Sequence, residues 1–161
     1  MRRKDRAITE NEAIEILIKG EYGILSMCTA ENKGYGIPLN YVLDNRQIYF
    51  HCAAAGSKLD YLRNNNKVSF CVVGNTTVIP SDFGTLYEST IVSGTTSEVD
   101  GNEKREALKR IIEKYSAGFI TEGNEYIDKL YERVSVIKLS IQSITGKARR
   151  QVGEPLLPLP A

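Results

Sequence analysis

Tryptophan is missing from this chain, histidine occurs once, and cysteine occurs three times in 161 residues. The cysteines, Cys28, Cys52 and Cys71, are odd in number, far apart and set in apolar, strand-like stretches. That pattern excludes a disulfide framework and a closely spaced thiolate site, and no metal is expected. Reduced thiols serving as small apolar side chains are expected, with a redox-active Cys52 as the alternative because it follows the single histidine. An excess of either charge is also lacking. A net charge of +1 favours neither nucleic acid nor an anionic membrane. No apolar run is long enough to span a membrane and no charged-then-apolar leader opens the chain, so a cytoplasmic protein is expected. What is present, 42% hydrophobic and 25% charged residues, is the make-up of an ordinary globular domain. A domain of this length buries about two-thirds of its unfolded surface and needs no covalent staple.

After a basic opening, Arg2-Arg3-Lys4-Asp5-Arg6, Thr9 and Glu12 have the spacing of a capping box. Ala13, Ile14, Leu17 and Ile18 then repeat at helical spacing and Gly20 supplies a stop, which predicts a helix over 10–19. From Tyr22 the period becomes that of strands. Strands are expected over 22–30, 35–43 and 47–52, joined by turns at 31–34 and 44–46. Pro38 cannot donate to a ladder, so it belongs at an edge, at a bulge, or beside something that is not protein. A short segment at 57–65 precedes strands at 67–73 and about 86–99. Asn102 is a candidate cap for a helix with Leu108, Ile111, Ile112 and Tyr115 on one face. Residues 116–123 read as loop, 124–131 as a short helix, and 134–142 as a last alternating strand. About six strands in hairpin-like succession, with helices at the margins and no βαβ alternation, predict a mainly β fold built as a closed or nearly closed antiparallel barrel. One domain over 1–150 is expected, with an extended Pro-rich tail over 151–161.

The most informative stretch runs from Ile48 to Leu62. An apolar strand ends at His51, passes through Cys52 and three alanines, and turns at Gly56 into a helix begun by Ser57. A helix N-terminus presents free N–H groups and partial positive charge, which suits a phosphate monoester. Gly56 can take the backbone angles of an anion nest, Ser57 adds a hydroxyl, and Lys58 adds a full charge. Read locally, a plain strand-to-helix turn with a solvated lysine has the better claim, because Gly-Ser-Lys is a common triplet.

Five pieces in order shift that balance: Arg2 to Arg6; Ile37-Pro38-Leu39-Asn40-Tyr41; Ile48 to Cys52 with Gly56-Ser57-Lys58; Tyr87 to Gly94; and Thr145-Gly146-Lys147. With them, the span from Arg2 to Arg149 resembles the nitroimidazole-resistance branch of the pyridoxamine-phosphate-oxidase-like split barrels. The resemblance implies a six-stranded antiparallel split β-barrel that binds FMN, and a homodimer with two FMN sites at the subunit interface. By position, Ser57 and Lys58, with Gly56, would hold the phosphate. The backbone of Pro38, Leu39, Asn40 and Tyr41 would flank the isoalloxazine ring, and His51 with Cys52 would line its edge. Ser89 and Lys147 are further candidate contacts, with the second subunit as an option for their source. His51 would be the catalytic residue, able to give a hydrogen bond or a proton, since its charge changes near neutral pH. One departure matters. The stretch Tyr35 to Tyr41 carries no Arg or Lys, and tryptophan and the basic C-terminal signature of the oxidases are missing, which argues against pyridoxamine phosphate as substrate.

Two functions follow. The first is an FMN-dependent reductase that passes electrons to a small acceptor of nitroimidazole or nitroaromatic type. With no dinucleotide fingerprint, NAD(P)H would bind only transiently over the flavin. The alternative is a non-catalytic protein that stores, senses or carries FMN, haem or a phosphorylated vitamin. A nucleic-acid barrel lacks its basic-aromatic strand face.

Overall fold

The computed structural model describes residues 3–150, so Arg2 and the expected Pro-rich tail lie outside the described residues. The strands are β1 (Ala7–Ile8), β2 (Gly23–Cys28), β3 (Gly34–Leu39), β4 (Val42–Asp44), β5 (Gln47–Ala53), β6 (Lys67–Ile79), β7 (Gly84–Val99) and β8 (Val134–Arg149). The helices are α1 (Glu10–Lys19), α2 (Ser57–Asn64), α3 (Gly101–Tyr115) and α4 (Ile120–Leu130). None of them is long and apolar enough to cross a membrane.

All pairings are antiparallel, in the order β3-β2-β6-β7-β8-β5-β4, with β1 on β8. Strands β3 and β4 thus occupy opposite edges of one sheet, yet only Asn40 and Tyr41 separate them in sequence. Such a link spans at most about 11 Å from Leu39 to Val42. The sheet must therefore curl until its two edges nearly meet, and it is a barrel left open along that seam. Pro38 lies in edge strand β3, where the missing N–H is tolerated.

Inside the curl, Leu25, Phe50, Phe70, Val72, Val92 and Leu139 pack with Ile16 and Leu17 of α1. A second cluster lies on the outer side of β5 and β8, where Tyr49 and Val136 meet Leu108 and Ile111 of α3 and Ile127 of α4. Tyr49 and Lys138 also fasten the sheet to α3 through Glu103, each at 2.9 Å. The capping box at Thr9 and Glu12 forms as expected. Gly20 ends α1 for a different reason than a left-handed stop: its φ is −62°, and a Cβ there would meet Val72 Cγ1 at 2.4 Å.

Several boundaries differ from expectation. The sheet holds eight strands, because the two-residue β1 and three-residue β4 are too short to carry a pattern. The strand expected over 35–43 breaks at Asn40 and Tyr41, since Tyr41 turns inward to full burial against Phe70, their ring centroids 4.9 Å apart. Gly74 and Asn75, which read as a strand end, fall in a register shift between Val73 and Thr76, and β6 continues to Ile79. A similar irregularity near Ser143 hides the continuation of β8 to Arg149. Asp100, not Asn102, precedes α3, and the expected loop over 116–123 contains a 3-10 turn at Ala117–Phe119 and the start of α4. The three cysteines are free thiols, partly rather than fully buried.

Candidate functional site

Strand β5 ends at Ala53, and the chain swings through three small residues into α2. Gly56 has φ +131°, a conformation that glycine alone takes without strain, and nothing lies within 4 Å of where its Cβ would stand. Its carbonyl accepts from the N–H of Leu59 at 2.9 Å, which starts the helix and leaves the N–H groups of Ser57 and Lys58 ahead of the first helical bond. The result is an open corner with two main-chain donors, the Ser57 hydroxyl and the Lys58 ammonium. A phosphate monoester matches that donor set.

Charge at Lys58 reaches back onto β5. Burial first, and then Lys58, pushes the His51 pKa below its ordinary value. Burial raises the Cys52 thiol, with Lys58 and Arg63 opposing and Glu98 reinforcing. Arg63 is engaged with Glu98 at 3.2 Å, which leaves Lys58 as the free cation at this corner among the described residues.

His51 and Cys52 do not face the same way. Alternation along β5 turns Cys52 to the barrel side, against the main core, and His51 to the side covered by α3 and α4. There His51 borders an apolar cavity of about 140 Å³ with Leu108, Ile111, Tyr126, Ile127 and Leu130. The two side chains therefore present themselves to different spaces.

The segment from Pro38 to Tyr41 runs along the seam. Pro38 and Asn40 are exposed and Leu39 is half-buried. Tyr41 is different. Its N–H donates to Tyr115 Oη at 3.0 Å, its carbonyl accepts from Lys114 Nζ at 3.1 Å, and its hydroxyl donates to Leu17 O at 2.6 Å. Every polar group of Tyr41 is thus hydrogen-bonded within the protein. Lys114 and Tyr115, which sequence reasoning did not single out as functional, lock the seam from α3. Lys114 also reaches Gly20 O at 2.7 Å and sits over the Tyr41 ring at 4.0 Å. Their signal was available: both continue the Leu108 and Ile111 stripe that faces the sheet. A ring contact of Tyr35 with Tyr61, 5.4 Å between centroids, brings edge strand β3 against α2.

Ser89 and Lys147 are cross-strand partners in β7 and β8, at the other end of the sheet. His51 pairs with Val136, eleven residues along β8 from Lys147, or about 36 Å of strand path. Along the strand they stand apart from the Gly56–Lys58 corner. Between the two groups, the outer face of the sheet is uncharged. One row reads Pro38, Ile24, Cys71, Ile91 and Thr145; the next reads Gly36, Ser26, Ser69, Ser93 and Ser143.

A curled antiparallel sheet whose one seam is locked by helix ends defines a split β-barrel. The chain belongs to the pyridoxamine 5'-phosphate oxidase family, whose model matches residues 9–148. No curated protein matches the sequence. Among solved structures, it is similar to a candidate 5-nitroimidazole antibiotic resistance protein from Bacteroides thetaiotaomicron, with 23% identity over 88% of this chain and 86% of that one and a TM-score of 0.76. An FAD-binding protein from Mesorhizobium loti shares 20% identity over 90% of this chain and 98% of its own, with a TM-score of 0.66. The FAD and heme binding protein of Mycobacterium smegmatis shares 15% identity over 89% of this chain and 72% of its own, with a TM-score of 0.77.

Proposed function

We propose that this protein binds FMN at the interface of a homodimer and uses it to reduce small acceptors. The observation that carries this reading is the Gly56–Ser57–Lys58 corner, whose open glycine, two N–H groups, hydroxyl and lysine ammonium suit a terminal phosphate. Family membership supports it, as do relatives described as flavin-binding. Ser57 and Lys58 hold the phosphate, and Pro38, Leu39 and Asn40 on the exposed edge bound the ring. Cys52 lies on the cofactor's side of β5. Ser89 and Lys147 serve the partner's cofactor, because strand length separates them from the corner of their own chain.

Bound flavin supplies the two-electron redox chemistry. His51 gives or accepts a hydrogen bond at the mouth of the apolar cavity. The acceptor is small and of nitroimidazole or nitroaromatic type. A reduced nicotinamide from the cytoplasm is the donor and leaves after transfer. The neutral outer face of the sheet fits a second copy of the chain, since exposed apolar side chains such as Ile24 and Ile91 are covered on dimerisation.

A second reading, a flavin store or sensor without turnover, draws on relatives named for what they bind. Anaerobic mixing of the FMN-loaded protein with reduced nicotinamide separates the two. Bleaching of the flavin band, followed by its return on adding a nitroimidazole, is the expected result. A flavin that stays oxidised assigns the protein to storage, and failure to bind FMN at all removes both readings.

A further inference from the structure

Even-numbered residues at the end of β8 face α1. A Cβ on Gly146 would meet Ile8 and Ala13, Ala148 is buried, and Arg150 donates from Nη1 to Glu12 Oε1 at 2.7 Å. The rest of that guanidinium is unanswered: Nε and Nη2 are both buried, and neither has a hydrogen-bond partner. The side chain as a whole keeps 27% exposure, so these donors lie just beneath the surface. Buried donors on a charged group are costly to leave unpaired, and such orphans mark the place of an ion or ligand.

Glu12 cannot satisfy them. Its other oxygen, Oε2, accepts from the Thr9 N–H and from the Thr9 hydroxyl, each at 2.8 Å, in the capping box that starts α1. Charge nearby also favours an anion. Lys147 and Arg149 stand on the opposite face of the same strand end, and among the described residues no carboxylate pairs with either. The free edge itself selects the ligand. Nε–H and Nη2–H of an arginine point the same way and match the two oxygens of a carboxylate. Arg3 holds Asp5 in this manner in the same chain, Nε to Oδ1 at 2.8 Å and Nη2 to Oδ2 at 2.5 Å. Nε and Nη2 of Arg150 are the only buried side-chain donors left unpaired among the described residues, so the extra oxygens of a phosphate would find no further one.

We infer that the free edge of Arg150 is a second ligand site, separate from the Gly56–Lys58 corner, that holds a small monocarboxylate of acetate size by two parallel hydrogen bonds. Titration of the purified, arginine-labelled protein with sodium acetate, followed by the Nε–H signals in nuclear magnetic resonance, tests it. Inorganic phosphate, and sodium chloride at matched ionic strength, are the other arms. One arginine signal, missing from Arg150→Lys, is expected to shift and saturate with a Kd below about 10 mM for acetate and at least tenfold weaker for phosphate. Chloride should give no saturable shift. Acetate should also raise Tm above its value in chloride, because it binds the folded chain alone. Arg150→Lys keeps the charge and loses the fork, so its Tm should be the same in both salts. Lys58→Ala should keep the acetate response, since that lysine belongs to the corner. No saturable shift by about 100 mM acetate, an equal response to phosphate or chloride, or an Arg150→Lys variant that responds like the parent overturns the assignment. If Arg150→Lys does not fold, the preference of the parent protein for acetate over phosphate and chloride decides. None of these outcomes depends on flavin.

Discussion

Replacing Tyr115 with phenylalanine removes one oxygen from the seam of the barrel. That oxygen accepts from the Tyr41 N–H at 3.0 Å and lies 2.6 Å from Glu21 O and 2.8 Å from Tyr41 O. The hydroxyl has one proton, so the variant loses one donated bond and one accepted bond, not three. Each is worth about 1 kcal/mol net, and the stranded Tyr41 N–H adds about 1–3 kcal/mol where water does not reach it. Lys114 still holds the Tyr41 carbonyl, so the expected cost is about 2–4 kcal/mol. For a domain of this size that lowers Tm by roughly 5–12 °C. Thermal unfolding followed by circular dichroism reads it directly. Tyr126→Phe, at a position 62% exposed on α4, is the control and should leave Tm unchanged. Hydrogen exchange at the Tyr41 amide should quicken in Tyr115→Phe before the rest of β4 and β5 is affected. A Tm within about 1 °C of the parent, with unchanged exchange at Tyr41, refutes the idea that α3 holds the seam.

Lys58→Ala should weaken FMN binding about ten- to a hundredfold and leave riboflavin, which has no phosphate, unaffected; equal losses for both ligands in a fluorescence titration count against the phosphate assignment. Ile91→Glu places a charge at the centre of the neutral outer face, where the side chain is 49% exposed and folding is spared. On the dimer proposed above, sedimentation should then show the variant as monomers. Lys114 titrates near 8 in the folded protein, well below its ordinary 10.5, because of burial. Between those values the unfolded chain binds more protons, so stability rises with pH across that window. The gain is about 1 kcal/mol once partial exposure is allowed for, and Lys114→Met should flatten it in denaturant titrations at pH 8 and pH 10.

Elements whose pattern is local were legible in the sequence. The Thr9–Glu12 box, the helix over 10–19 and the β5-to-α2 corner all depend on neighbours within a few residues, and all form, although α1 buries Ala13, Ile16 and Leu17 and leaves Ile18 of the expected stripe exposed. Features set by distant contacts were not. Tyr41 reads as one more strand residue until Leu17, Phe70 and Tyr115 draw it inward. Gly74 and Asn75 fall outside the strand expected over 67–73, because nothing local says that Glu88 on the neighbouring strand needs the space. For the candidate site, residue types were readable but not facing. Alternation on β5 separates His51 from Cys52, a consequence of strand geometry that becomes visible only once both faces of that strand are seen to be covered.

Strand length also ties the proposed cofactor site to the proposed dimer. Ser57 and Lys58 follow the end of β5 that pairs with Val134, at the start of β8, whereas Lys147 stands near the other end of that strand. That separation along the strand supports the proposal that Lys147 meets the cofactor held at the corner of a second copy docked on the neutral face. The two variants should therefore behave differently. Lys58→Ala should lose FMN and keep the dimer, whereas Ile91→Glu should lose the dimer and, with it, much of the affinity for FMN and for riboflavin alike. A monomeric Ile91→Glu that binds FMN as tightly as the parent would place the whole cofactor within a single barrel.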